Sequence, residues 1–350
     1  MKAKTFLAFV APSVASMLLL IALPLVGVVF LSVYQSYVKT ELREVTTEVP
    51  LFGGQTREVT RTVPQPVLDE NGDTIFIWEY VGGRNLREAS EIEGVVETFR
   101  GPFPQNEGLG GKLNHVYKRI SNYDFWSALE FTLLYTFFTT PAILIIGLGV
   151  ALAVNRVTEG LRGSLVFISL LPMIVTPIVS SSAIFWMFLD NGIVSVILEQ
   201  LGFGQIYFLS NQISTRILII LYGIWFAAPF AFIILYAGLQ TMPRDPLESA
   251  MIDGANAWQR LRYVIIPHLT PLLAVITMIH VMDAYRVFEP ILVFGTSVYA
   301  NSVQYLTYFV LGVQDNIHKA AAYSILTIIG VVILLIPILR HTFKEQKAIN

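Results

Sequence analysis

The sequence predicts an all-α polytopic membrane protein of six transmembrane helices, with a small β-rich external insert between the first helix and the second. Three observations carry this reading. Only 14% of the 350 residues are charged and 54% are hydrophobic, whereas a soluble domain is roughly a quarter charged. Six windows of at least 20 residues contain no Asp, Glu, Lys or Arg: those between Lys4 and Lys39, Glu130 and Arg156, Arg162 and Asp190, Arg216 and Arg244, Arg262 and Asp283, and Lys319 and Arg340. About 20 helical residues cross a hydrocarbon core of roughly 30 Å. The one long polar interval, 39–122, has the alternating texture of strands.

The first span, about 6–33 within an N-terminal segment 1–38, follows two lysines as a secretory signal would. Its apolar run is far longer than a signal core of about 7–15 residues and shows no cleavage site, so it reads as a retained anchor. In the insert, "REVTTEV" at 43–49 repeats as "REVTRTV" at 57–63 around Gly53 and Gly54. Alternating Val, Thr and charged residues on both sides of a glycine turn predict a β-hairpin. "VLDENGDTIFIWEYV" at 67–81 predicts a second one turning at Asn71-Gly72. "DENGD" has neither the glycine position nor the closing glutamate of a calcium loop.

The remaining core, 123–345, predicts five spans at about 125–154, 161–189, 214–241, 268–293 and 319–340. Pro141, Pro172, Pro177, Pro229 and Pro337 fall inside or at the ends of these spans, where neighbouring helices can satisfy the freed carbonyls. Short loops on one side collect Lys2, Lys4, Arg156, Arg162, Arg244, Arg260, Arg262, Arg340, Lys344 and Lys347, against Arg216 and Lys319 on the other, with Arg286 near a helix end. The positive-inside rule then places both termini in the cytoplasm and 39–122 outside.

The loop at 243–268 is unusually polar. Asp245 can cap a helix that begins at Pro246, with Glu248 completing a capping box. Leu247, Ala250, Met251, Gly254, Trp258 and Leu261 form an apolar stripe at three- and four-residue spacing. An interfacial helix on headgroups is one reading. Its first three turns carry Glu248 and Asp253 and no base, which suits a basic-rimmed protein groove better than anionic lipid.

Other chemistry is sparse. There is no cysteine, so disulfide and thiol chemistry are excluded, and a net charge of −2 gives no hint of nucleic-acid binding. The five histidines are scattered without acids at ligand spacing, and no catalytic or metal-ligating set stands out. No phosphate-binding G-x-x-x-x-G-K-[ST] occurs; "GLGGK" at 108–112 lacks its first glycine and its Ser/Thr.

"ESAMIDGA" followed by "IIP" resembles the cytoplasmic EAA loop of ABC-importer permeases. Glu248, Ala250, Asp253, Gly254 and Pro267 match that pattern, with Ser249 in place of its first alanine. "DFWSALEFTLLYT" at 124–136 and "GLGVALAVNR" at 147–156 extend the likeness through about 123–345, and it is strongest to the MalF-like carbohydrate-uptake group of binding-protein-dependent inner-membrane components. The resemblance implies a type I importer with a MetI-like core. The loop would couple to a cytoplasmic ATPase that supplies ATP and magnesium, this chain binding no cofactor itself. The implied partners are a second homologous permease subunit, two ATP-binding cassette subunits and an external solute-binding protein, all in or against the inner-membrane bilayer.

For the solute path the residues alone leave alternatives. Asp283, Arg286 and Glu289 share a helical face as an ion-pair ladder or a binding group, and the aromatics of "YGIWFAAPFAF" at 222–232 are packing residues or a ligand platform. The resemblance implies that Gly223, Phe226, Phe230, Asp283 and Arg286 line the cavity, for a carbohydrate or, given the charges, a sugar phosphate. An ion-gradient-driven transporter would need acids near the midplane. A membrane-anchored sensor would leave the EAA-like loop without a role.

Overall fold

A computed structural model describes residues 3–50, 56–101 and 108–349, with side chains described for these except 3–8, 47–50, 56–59 and 341–349. Among the described residues, six stretches are long and apolar enough to cross a membrane: Phe9–Val33, Asp124–Asn155, Pro177–Phe203, Gln212–Gln240, Ala257–Phe294 and Ile317–Arg340. The chain divides into two compact units. One holds the residues up to Ala89 with Asn316–Ile325; the other holds Ser90–Asp315 with the residues from Leu326 onward.

In the first unit, α1 (Ala3–Met17) and α2 (Leu23–Val33) are joined by a π-helical turn at Leu18–Ala22. None of this span's apolar window is buried, so it is a helix that needs lipid or a partner around it. At Tyr34 the backbone turns extended, and β1 (Tyr34–Val38) and β2 (Thr40–Pro50) follow, then β3 (Thr56–Pro66) and β4 (Phe76–Tyr80). Strands β2 and β3 pair antiparallel with Arg43 opposite Val63 and Val49 opposite Arg57. That is the register of the 43–49 and 57–63 repeat; its turn at Gly53-Gly54 lies outside the described residues.

The second expected hairpin closes only over 67–75. The Asp69 carboxylate accepts from the N–H groups of Asn71 (2.9 Å) and Asp73 (2.8 Å), and Gly72 takes φ +87°. Strand β4 then pairs with β1, Tyr34 opposite Tyr80. Aromatic packing explains the choice of partner: Tyr34 stacks on Phe30 at 4.3 Å and meets Tyr80 at 5.3 Å, with Trp78 5.7 Å from Phe30. His318, on α16 (Ile317–Ile349), accepts the Ser36 N–H at Nε2 (3.0 Å), which leaves Nδ1–H to donate to the Leu31 carbonyl (3.1 Å).

Strand texture ends at Tyr80, so the insert expected to be β-rich over 39–122 is helical in its second half. Helices α3 (Arg84–Ser90), α4 (Ile92–Arg100) and α5 (Leu109–Ile120) occupy it. Apolar residues there recur every three or four positions, as in Ile92, Val96, Phe99 and in Leu109, Leu113, Tyr117, which is helical rather than strand spacing.

The second unit is built on α6 (Asp124–Asn155) and α10 (Gln212–Gln240), which run against each other along most of their lengths. Small residues allow the approach from both sides. A Cβ on Gly147 of α6 would meet Ala231 and Phe232 of α10, and one on Gly223 of α10 would meet the ring of Tyr135 of α6. Buried Thr132, Thr136 and Thr139 each donate to the carbonyl four residues back at 2.8 Å, so the hydroxyls on this apolar seam are satisfied. Around the seam lie two apolar clusters, one including Phe131, Leu218, Ile219 and Ile291, the other Ile143, Phe232, Leu235, Leu269 and Ile276.

The third expected span, 161–189, is not one helix. Helix α7 (Glu159–Ile174) stops, Val175 and Thr176 are extended, and α8 (Pro177–Phe188) restarts at the proline. Pro177 excludes helical geometry from the residue before it and begins a new helix readily. A turn at 189–192 leads to α9 (Ile193–Leu198) and a π-helical turn at Glu199–Phe203. Beyond α10 come α11 (Asp245–Ile252), α12 (Ala257–Arg260), a π-helical turn at Leu261–Ile265 and α13 (Ile266–Ala284). Then follow α14 (Glu289–Phe294), α15 (Val303–Gly312) and α16.

One ion pair ties three segments at a single end of the core. Arg216 of α10 holds Glu130 of α6 bidentately (2.8 and 2.9 Å), donates from Nε to the Tyr299 carbonyl (3.1 Å), and lies over the Phe131 ring. The guanidinium side chain is only 12% exposed. Replacing Arg216 with Met should cost about 1–3 kcal/mol, because the carboxylate loses its charged partner. Thermal denaturation in detergent should show the loss, and Glu130→Gln added to Arg216→Met should restore part of it.

Candidate functional site

A cavity of about 410 Å³ opens beside the α6–α10 seam. Helix α10 supplies one wall with Tyr222, Gly223, Phe226 and Phe230; the facing wall is His280, Asp283, Arg286 and Glu289. All five residues expected to line a solute path, Gly223, Phe226, Phe230, Asp283 and Arg286, border this one space.

The aromatic wall is held from behind. Tyr222 stacks on Phe226 with centroids 6.0 Å apart, and its hydroxyl donates to the Pro177 carbonyl (3.0 Å) within reach of Ser180 (2.8 Å). That bond fixes α10 to the restart of α8. Gly223 contributes space rather than a contact, because Tyr135 occupies the room a side chain would take.

The polar wall differs from the sequence reading. Asp283, Arg286 and Glu289 do not form a ladder on one face, since α13 ends at Ala284 and α14 begins at Glu289. The chain turns at 285–288, and no ion pair joins the three charges among the described residues. The turn stands on a buried base: Tyr285 is 1% exposed, and Ser302 donates to the Val287 carbonyl at 2.6 Å. The break aims three charges from two helices and a turn toward one cavity, which a single helical face would not do.

His280 was not singled out for the cavity by its sequence context. Its Nε2 lies 3.0 Å from Thr139 Oγ1. The Thr139 proton is committed to the Tyr135 carbonyl, so Nε2–H is the donor and Nδ1 is left as an acceptor. No group of three or more metal-ligating side chains occurs among the described residues. The arrangement can stack a ring face and hydrogen-bond its substituents; it holds no nucleophile–base pair.

The second site is the loop at 243–268. The expected capping box of Asp245 and Glu248 does not form: Asp245 is the first helical residue, Arg244 precedes it with helical geometry, and no side chain caps α11. The capping box lies further on. Asn256 accepts from the Gln259 N–H (2.9 Å), and Gln259 accepts from the Asn256 N–H (2.7 Å). Asn256 and Gln259 carry that signature in the sequence, eleven residues beyond the competing helix start at Asp245-Pro246.

Gly254 ends α11. It takes φ +77°, and the Ala255 N–H reaches Ala250 O (2.9 Å) while the Gly254 N–H reaches Met251 O (3.1 Å). This is a Schellman end, which a Cβ would strain. The predicted stripe is therefore two short helices, not one. Met251, Ile252, Trp258 and Tyr263 are 50%, 86%, 65% and 70% exposed, as are Glu248, Asp253, Gly254 and Pro267, with Ala250 half-buried. Helix α12 passes through its π-helical turn into α13 without a break, so the span expected from 268 begins at 257.

Comparison with known proteins bears on the family and the fold. Residues 132–344 match the family described as "Binding-protein-dependent transport system inner membrane component". The chain is similar to the trehalose/maltose transport system permease protein MalF of Thermococcus litoralis, 32% identical over 225 residues, covering 62% of this chain and 74% of that one. It is similar to the trehalose transport system permease protein SugA of Mycobacterium tuberculosis, 31% identical over 224 residues, covering 64% and 71% respectively. In fold it resembles the crystal structure of a bacterial ABC transporter involved in the import of the acidic polysaccharide alginate, with a TM-score of 0.59 and 22% identity over 73% of this chain and 88% of that one.

Gly223→Ala should drive Tyr135 off its place and lower the denaturation temperature in detergent; adding Tyr135→Leu should recover part of the loss. If Gly223→Ala alone leaves stability unchanged, the close approach at this point of the seam is not what holds the cavity wall.

Proposed function

The chain belongs to the family of binding-protein-dependent transport system inner membrane components, and from that premise we propose that it forms half of a sugar pathway driven by a separate ATPase. The observation that carries the reading is the meeting of two walls in one cavity: Phe226 and Phe230 on one side, Asp283, Arg286 and Glu289 on the other. Aromatic faces beside hydrogen-bonding groups suit a pyranose, whose C–H faces stack and whose hydroxyls need partners. Trehalose and maltose, the sugars in the names of its relatives, are the first solutes to try.

Energy enters through the loop at 243–268. No phosphate-binding loop occurs in the chain, so hydrolysis, with its ATP and magnesium, takes place in two cassette subunits. Exposed Met251, Ile252 and Trp258 fit an apolar cleft in such a subunit, and Glu248 faces a base at its rim. Ala250, Asp253 and Gly254 shape the end of α11, and Pro267 opens α13. Because α12 runs into α13 as one rod from Ala257 to Ala284, its length is about 40 Å at 1.5 Å per residue. Displacement of the loop reaches Asp283 directly. A second homologous permease subunit completes the pathway, both termini lie in the cytoplasm, and 39–122 faces an external solute-binding protein.

In proteoliposomes containing the assembled transporter, Glu248→Lys should abolish ATP-dependent uptake while the permease still inserts; uptake within twofold of wild type would overturn the coupling assignment. Phe226→Ala should raise KM for the transported sugar about three- to tenfold, in line with the loss of one aromatic contact. An unchanged KM removes Phe226 from the path without touching the coupling result.

A further inference from the structure

We infer that α4 and α5 form an amphipathic foot that rests in an anionic bilayer surface at the N-terminal end of α6. The two helices pack on each other, and each leaves an apolar row uncovered. On α5, Leu109, Leu113 and Tyr117 are 83%, 69% and 52% exposed; on α4, Ile92, Val96 and Phe99 are 41%, 39% and 57% exposed. Spacings of three and four residues put each row on one side of its helix. An open apolar surface of this kind marks an interaction site.

Position decides the occupant. Helix α5 ends at Ile120 and the span α6 starts at Asp124, so the foot sits where the chain crosses from water into hydrocarbon. It is fastened there. The Glu91 carboxylate accepts from the Phe125 N–H (3.0 Å), and the Trp126 indole donates to the Ser90 carbonyl (2.8 Å). Both bonds tie the start of α4 to the first turn of α6. Charge agrees on α5, which carries Lys112, Lys118 and Arg119 and no acid; α4 carries Glu93, Glu97 and Arg100, so the attraction to an anionic surface comes from α5. Basic residues flanking an apolar row are the pattern of a helix lying in a headgroup layer, where each is drawn to a negative surface. The apolar rows would sit about 5–10 Å into the headgroup–acyl boundary.

The chain contains no cysteine, so a single introduced one labels one place. Leu113→Cys, Val96→Cys and, as a polar-side control, Asn114→Cys are each spin-labelled in the full chain. They are reconstituted with the co-purifying subunits into nanodiscs of phosphatidylcholine alone or with a third phosphatidylglycerol. Collision with oxygen should exceed collision with a water-soluble nickel chelate several-fold at positions 113 and 96, and the order should reverse at 114. Immersion at 113 should deepen with phosphatidylglycerol, and Lys112→Gln with Lys118→Gln and Arg119→Gln should remove that difference. Dominant nickel collisions at 113 and 96 would show a water-facing foot and overturn the inference. Low collision with both reagents would show a protein partner over the rows and overturn it equally. Immersion independent of phosphatidylglycerol would overturn the anionic part.

Discussion

The seam between α6 and α10 is the constraint on which the core depends. Within a bilayer there is little hydrophobic gain in bringing one apolar helix to another, so association rests on close packing and on polar groups that find partners. Here both devices operate on the same pair. Gly147 and Gly223 open the approach from opposite sides, threonine hydroxyls on α6 return to their own backbone, and Arg216 closes one end on Glu130. Within the second unit, α7, α13, α14 and α15 pack against one or both of this pair. Helix α8 is fixed through Tyr222, and α15 is fixed through the Val303 N–H, which donates to Thr132.

Charge-free windows located five of the six membrane spans because cost in lipid is a property of composition; the third lies at Pro177–Phe203 rather than 161–189. They could not locate breaks, because a break depends on individual residues. Pro177 is read as a tolerated kink or a restart with equal ease until its neighbours are known; the extended Val175 and Thr176 make it a restart. Likewise Asp283, Arg286 and Glu289 have the spacing of a helical face, and nothing local announces that Tyr285 is buried and forces a turn. The residues alone raised Asp283, Arg286, Glu289 and the aromatics of 222–232 as candidates, and the family likeness chose between packing and a solute path for them. His280 was not, since its role rests on Thr139, far away in the chain.

In the insert the same contrast holds. Alternating stretches of equal length on either side of Gly53-Gly54 made β2 and β3 legible as a hairpin, and the structure sets the register with Arg43 opposite Val63. Strand β4 has no such counterpart, and its partner is set by Phe30, Tyr34, Trp78 and Tyr80 meeting at the end of α2. The capping box shows a third case: two overlapping helix-start signals stood within one loop, and the backbone used Asn256 with Gln259 for the box.

The first span has a different consequence. Its apolar window has no buried residue, so its hydrophobic free energy is realised on insertion rather than on folding. A helix of that kind contributes topology: it is long enough to cross once and leads into the β1–β4 pair through the aromatic junction at Phe30 and Tyr34. Whatever surrounds it, lipid or a partner, must supply the apolar contacts that its own chain does not.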